Sequence, residues 1–324
     1  MELETASPQP PSKFQFALFN DRGLRAGWRL LIFVGMFVTL LQLAALGVSH
    51  LHGAQSRAPV PAVLSPGGQL LGEMSLFLVF LFFTWIMSRI ERRPMGTYGL
   101  PLRKQIFPRF FAGYTLWGFL PLTLLLLVMR GLGVFYFGKV GLHGADILRY
   151  AVVWFAVFLF VGLLEEYMTR GYALYTLADG IGFWPASILM ALIFGFLHLP
   201  NPGETRIGIL DVCLFAMFAA VTLRRTGDLW LAVGAHAGWD WGQSFFYGVN
   251  DSGTQAVGHL FNSQVQGPGW LSGGSVGPEG SVLSSVLLVG MTAAFLVFYR
   301  NHRDPGDRAK PDLEPPSLVQ GEGN

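Results

Sequence analysis

Charge is what this sequence has least of. Only 13% of its 324 residues are Asp, Glu, Lys or Arg, against about a quarter in a soluble domain, and that deficit excludes an ordinary globular enzyme. The formal net charge is +2, with the basic residues scattered at the ends of apolar runs rather than gathered into a patch, which excludes a nucleic-acid partner. The single cysteine, Cys213, falls inside an apolar run, so no intramolecular disulfide can staple the chain. A cleavable signal peptide is not expected either, because some 27 polar or mixed residues precede the first apolar stretch and that stretch is long enough to span. No internal repeat and no soluble domain can be read.

What the chain does have is apolar length. The hydrophobic share is 52% and the mean hydropathy +0.46. A spanning helix needs roughly 20 mostly apolar residues, and eight stretches qualify: near Trp28–Ser49, Leu70–Ser88, Phe110–Met129, Ile147–Leu164, Phe183–Leu199, Ile207–Leu223, Leu229–Tyr247 and Val282–Tyr299. The fourth is expected to run on past Arg170 toward Leu177 and to stop at the Asp179-Gly180 turn. The fold class predicted is therefore all-α, a polytopic bundle of about eight transmembrane helices over 28–299. A cytoplasmic tail (1–27), with a possible interfacial helix, precedes it, and a disordered cytoplasmic tail (300–324) follows. With the N-terminus in the cytoplasm, 17 lysines and arginines fall on that side and 5 on the other, the expected bias. The loop from Gly248 to Ser281 has no lysine or arginine, in keeping with an external position. Both tails are then cytoplasmic, and a bacterial inner membrane is the expected location.

Ionisable groups at membrane depth cost roughly 2.5–3.5 kcal/mol each even on lenient scales, so they are functional hypotheses by default. The candidates are Glu73, Glu165, Glu166, His198, Asp211, His236 and Asp240; Glu73, near the start of its helix, can reach the interface and is set aside. Glu165 and Glu166 point about 100° apart on a helix. Glu166 shares a face with Arg170, four residues on, which suits an ion pair. Glu165 is then left aimed elsewhere, as a desolvated carboxylate suited to general-base work; the bland alternative is an interfacial ion cluster. His198 ends Phe194-Gly195-Phe196-Leu197-His198, where a packing histidine is the commoner reading. His236 and Asp240 stack at i,i+4, with Gly234 and Gly238 allowing close approach; their bland alternative is an interhelical hydrogen-bond pair. Counting residues from the Gly180 turn brings Glu165 and His198 to similar depth. A glutamate, two histidines and a second carboxylate converging in a dry pocket make a hydrolase constellation with water as the attacking group.

The order Glu-Glu-x-x-x-Arg, Phe-x-x-x-His, His-x-x-x-Asp resembles the CAAX-protease and bacteriocin-processing (CPBP) intramembrane endopeptidases, which include the eukaryotic Ras-converting prenyl-protein protease. The resemblance covers about Arg149–Phe246, and Arg92-Arg93-Pro94 to Tyr98-Gly99-Leu100 looks like a further short family segment. It implies an eight-helix intramembrane endopeptidase acting on a membrane-associated peptide or protein. Glu165 would activate water, His198 position it or shuttle a proton, and His236 and Asp240 stabilise the tetrahedral intermediate. Glu166 and Arg170 would buttress Glu165. Where the prenyl-protease branch ends its last motif in asparagine, this chain has Asp240, which donates a hydrogen bond only when protonated. No cofactor is expected to be required. There is no His-Glu-x-x-His signature, although Glu165, His198 and His236 could supply three zinc ligands. Rival readings are a catalytically silent scaffold or bacteriocin-immunity-type binding protein, and a small transporter with Glu165, Asp211 and Asp240 as a proton relay.

Overall fold

The computed structural model describes residues 17–20, 23–52 and 63–300. The segments read as unstructured, Met1–Lys13 and Asn301–Asn324, lie outside them. Helices carry the architecture: α1 (Ala26–His52), α2 (Pro66–Glu91), α3 (Ile106–Gly131), α4 (Ala145–Arg170), α5 (Tyr172–Ile181), α6 (Phe183–His198), α7 (Arg206–Thr226), α8 (Trp230–Asp240, running on as a π-helix over Trp241–Tyr247) and α9 (Val282–Phe298). Local signals set several of their ends. Thr205 accepts from the Gly208 N–H at 3.0 Å to start α7, and Ser281 accepts from the Ser284 N–H at 3.2 Å to start α9. Pro66 opens α2, and Gly227, at φ +79°, closes α7.

Every one of the eight predicted stretches is helical. Five helical segments, Ala26–Ala44, Pro66–Glu91, Ile106–Gly131, Ala145–Ile181 and Arg206–Thr226, are long and apolar enough to cross a membrane, and α6 and α9 are shorter apolar helices. This is a polytopic membrane protein. The remaining stretch, α8, differs in kind: each residue from Leu231 to Asp240 is buried, so it is the bundle's central helix, wrapped by protein on all sides.

The fourth stretch departs from expectation in part. The span does continue past Arg170, to Ile181, but Gly171 takes ψ −128° and divides it into α4 and α5. The reversal falls at Gly182, at φ +87°, rather than at Asp179-Gly180. Asp179 serves instead in an ion network at that end of the bundle, accepting from Arg29 at 3.1 Å and Arg93 at 2.7 Å. Arg29 also donates to Glu91 at 2.6 Å.

The close approach expected at Gly234 and Gly238 is present and reciprocal. A Cβ on them would lie 2.0 Å from the Phe110 carbonyl oxygen and 2.1 Å from that of Tyr114. Across the interface, a Cβ on Gly113 or Gly118 would meet the Leu231 or Ala235 carbonyl at 2.1 or 2.3 Å. Backbone rests on backbone, which fixes the depth and rotation of α8 and so of His236 and Asp240.

At the opposite end from the ion network, the 248–281 segment is stitched onto other connections by two-residue ladders. Gln255–Ala256 pairs with Val63–Leu64, and Gln264–Val265 pairs with Phe135–Tyr136. Trp154 of α4 donates to the Val257 carbonyl at 2.9 Å. The segment therefore lies as a fixed cap over that end of the bundle.

Candidate active site

Glu165 projects from α4 with a quarter of its side chain exposed (26%), while Glu166 is fully buried, so the two carboxylates face apart as helical geometry requires. The Glu165 Oε2 lies 3.5 Å from His236 Nε2 and 3.9 Å from His198 Nε2. Gly182 is nearly midway in sequence between Glu165 and His198, which explains their common depth. Both gaps exceed an ordinary direct hydrogen bond, and a water seated in the cavity beside the 3.9 Å Glu165–His198 pair can bond to both groups.

The far nitrogen of each imidazole is fixed by an acceptor. His198 Nδ1 is 2.8 Å from the Phe194 carbonyl oxygen, which can only accept, so Nδ1 carries a hydrogen and Nε2 is the nitrogen turned to the cavity, an acceptor in the neutral imidazole. The Phe194 ring packs edge-on against the same imidazole at 4.5 Å. His236 Nδ1 is 2.9 Å from Glu166 Oε1. Glu166 Oε2 in turn accepts from Arg170 at 2.7 Å, so it is an ionised acceptor. Arg170 also donates to the Ala216 carbonyl at 3.2 Å and lies over the Phe194 ring. The expected Glu166–Arg170 pair is thus present, and it holds His236 directly, a link that sequence alone could not supply. Asp240 Oδ2 lies 3.5 Å from His236 Nε2, the same nitrogen that Glu165 faces.

These side chains open on a cavity of about 170 Å³ whose lining includes Glu165, His198, His236 and Asp240. Glu73, set aside as interfacial, also lines it: α2 begins at Pro66, so the first turns of that helix lie level with the cavity rather than beyond it. Asp211 lines it as well and accepts a hydrogen bond from Ser285. Two further acids come from the cap and were missed by a search confined to helices. Asp251 accepts from the Ser244 hydroxyl at 2.8 Å, and Glu279 accepts from the Ser252 N–H at 2.6 Å and from Gln243. Burial pushes both carboxyls up, Asp251 to about 6 and Glu279 well above the usual range. The lack of basic residues in 248–281 was the one available signal.

Among the described residues, no group of three or more His, Cys, Asp and Glu side chains is arranged to hold a metal ion, Glu165, His198 and His236 included.

Residues 147–242 match the family model described as Type II CAAX prenyl endopeptidase Rce1-like. Over this segment, which is under a third of its length, the chain is similar to that family. The Rce1-like segment runs from α4 through the start of the π-helix after α8, and so contains Glu165, Glu166, Arg170, His198, His236 and Asp240; Glu73, Asp251 and Glu279 lie outside it. No curated protein and no solved structure matches the chain.

Proposed function

We propose that this protein is an intramembrane endopeptidase that hydrolyses a peptide bond with a water activated by Glu165. The observation that carries the reading is the convergence of His198 Nε2 and His236 Nε2 on one Glu165 oxygen inside a cavity. The family match supports a peptidase.

In this mechanism a water held between Glu165 and His198 loses a proton to the Glu165 carboxylate as its oxygen attacks the substrate carbonyl carbon. His198 Nε2, an acceptor in the neutral imidazole, orients that water. His236, anchored through Nδ1 by Glu166, donates from a protonated Nε2 to the oxyanion, and Asp240 beside it favours the imidazolium electrostatically. Glu165 then delivers the proton to the leaving amine, the C–N bond breaks, and the carboxylate is regenerated. Glu166 and Arg170 are positioning residues.

The test is cleavage of a quenched-peptide library by the protein in lipid nanodiscs, beside Glu165→Ala and with and without a zinc chelator. General-base catalysis contributes about 10²–10⁴-fold, so Glu165→Ala is expected to lose at least ~10²-fold at unchanged thermal stability, with the parent indifferent to chelator. Loss on chelation, restored by zinc, would replace the metal-free mechanism with a metallopeptidase. Equal activity of parent and Glu165→Ala, or none in either, would sink the reading and favour a binding scaffold.

A further inference from the structure

The cavity is one-sided in its ionisable lining. Glu73, Glu165, Asp211, Asp240, Asp251 and Glu279 all line it, against two histidines and no lysine or arginine among the described residues. A cleft lined by one sign, with low-dielectric walls, concentrates ions of the other. Hydrolysis as derived above uses Glu165 and Asp240 and gives the remaining acids no work. Asp211 is the most telling of these. It is 2% exposed, one carboxylate oxygen accepts from Ser285, and Oδ2 is buried with no hydrogen-bond partner. Ser284, fully buried and also on the lining, likewise has a hydroxyl without a partner, as does the Gln69 side-chain oxygen. Three buried oxygens on the cavity lining thus lack a hydrogen-bond partner, two of them on the packed helices α7 and α9, and burying such groups unpaired is costly. Beside them run the apolar side chains of Val212, Phe215 and Leu288, a wall suited to a methylene stem whose charged head reaches further in.

We propose that the arm of the cavity around Asp211 and Ser284 receives the cationic side chain of a substrate lysine or arginine flanking the scissile bond. This rests on the peptidase reading above. The head group donates to Asp211 Oδ2 and Ser284 Oγ while the stem lies along Phe215 and Leu288.

The probes are quenched Ala/Leu decapeptides with one lysine walked through every position, each paired with its norleucine counterpart of similar length and no charge. In the parent, one register is expected to be cleaved with kcat/KM at least about tenfold higher for lysine than for norleucine, the scale of a charge-assisted hydrogen bond. Asp211→Asn, which keeps an oxygen for Ser285, should collapse that ratio toward one, and Ser284→Ala should reduce it without removing a charge. The same ratio read as affinity, by fluorescence anisotropy on Glu165→Gln protein, separates recognition from catalysis. Equal binding of lysine and norleucine peptides at every position overturns the cationic pocket even if cleavage occurs. A preference that survives Asp211→Asn overturns the assignment to Asp211. Lysine-selective binding lost in Asp211→Asn, with no peptide cleaved by the parent, supports the pocket while sinking the peptidase reading.

Discussion

Glu166 makes two bonds at once, one to Arg170 and one to His236, with no exposed surface of its own. Removing one partner of such a buried pair costs about 3–5 kcal/mol, whereas removing both can be nearly neutral. Arg170→Met is therefore expected to lower the unfolding midpoint sharply, and Glu166→Gln with Arg170→Met to recover most of it. The double variant should remain inactive, because an amide cannot hold His236 as a carboxylate does; thermal unfolding and peptide cleavage on the same samples check both statements. Asp251 makes a pH argument. Its folded-state value of about 6 exceeds the ordinary 3.8, mainly through burial, against the hydrogen bond from Ser244 and the attraction of His236. A carboxyl that binds its proton more tightly folded than unfolded favours the fold at low pH and loses that contribution as pH rises through the folded value. Asp251→Asn should thus raise the unfolding midpoint at about pH 8 and match the parent near about pH 4. Equal midpoints at the higher pH would show that Asp251 is not desolvated in the folded protein.

Between helices the decisive contacts are backbone on backbone. A methyl at Gly238 would sit 2.1 Å from the Tyr114 carbonyl oxygen, whereas Gly35 has nothing within 4 Å of its added Cβ. Overpacking costs typically 1–3 kcal/mol where side chains can yield, and a rigid carbonyl yields less. Gly238→Ala is expected to lose folded protein in detergent while Gly35→Ala behaves as the parent, read by size-exclusion profile and unfolding midpoint. This is also the scale at which the sequence was most readable. Apolar runs located the helices, and i,i+4 spacing identified Glu166 with Arg170 and His236 with Asp240, because both signals are local. Glu73 was misjudged because its depth depends on where α2 meets the cavity, a tertiary fact. Asp251 and Glu279 were invisible because irregular loops carry no periodicity. The Glu166–His236 bond joins residues 70 positions apart, beyond any local pattern.

Across the whole molecule, the ion network of Arg29, Glu91, Asp179 and Arg93 marks one end and the 248–281 cap the other, with α2 running between them from Pro66 beside the cap to Glu91. The site residues lie toward the capped end, since Asp251, Ser252, Thr254 and Glu279 of the cap share the cavity with them. If the positive-inside bias holds for this chain, the ion-network end is expected in the cytoplasm and the site is expected to open to the external face. In a Cys213→Ala background, Ser275→Cys is expected to react with an impermeant maleimide added to intact cells, and Leu102→Cys only after permeabilisation. The reverse pattern would invert the orientation.

The bond from Ser285 to Asp211 has a consequence in time. Ser284 and Ser285 belong to α9, the last helix, whereas Glu165, His198, His236 and Asp240 precede the cap. During synthesis the ribosome releases the proposed catalytic groups and Asp211 first, and Ser284 and Ser285 only after most of the chain has been translated. On the proposed reading, a chain stalled before α9 would hold Asp211 without the hydroxyls that fix it and complete its pocket, so the last helix would be the step that completes substrate selection.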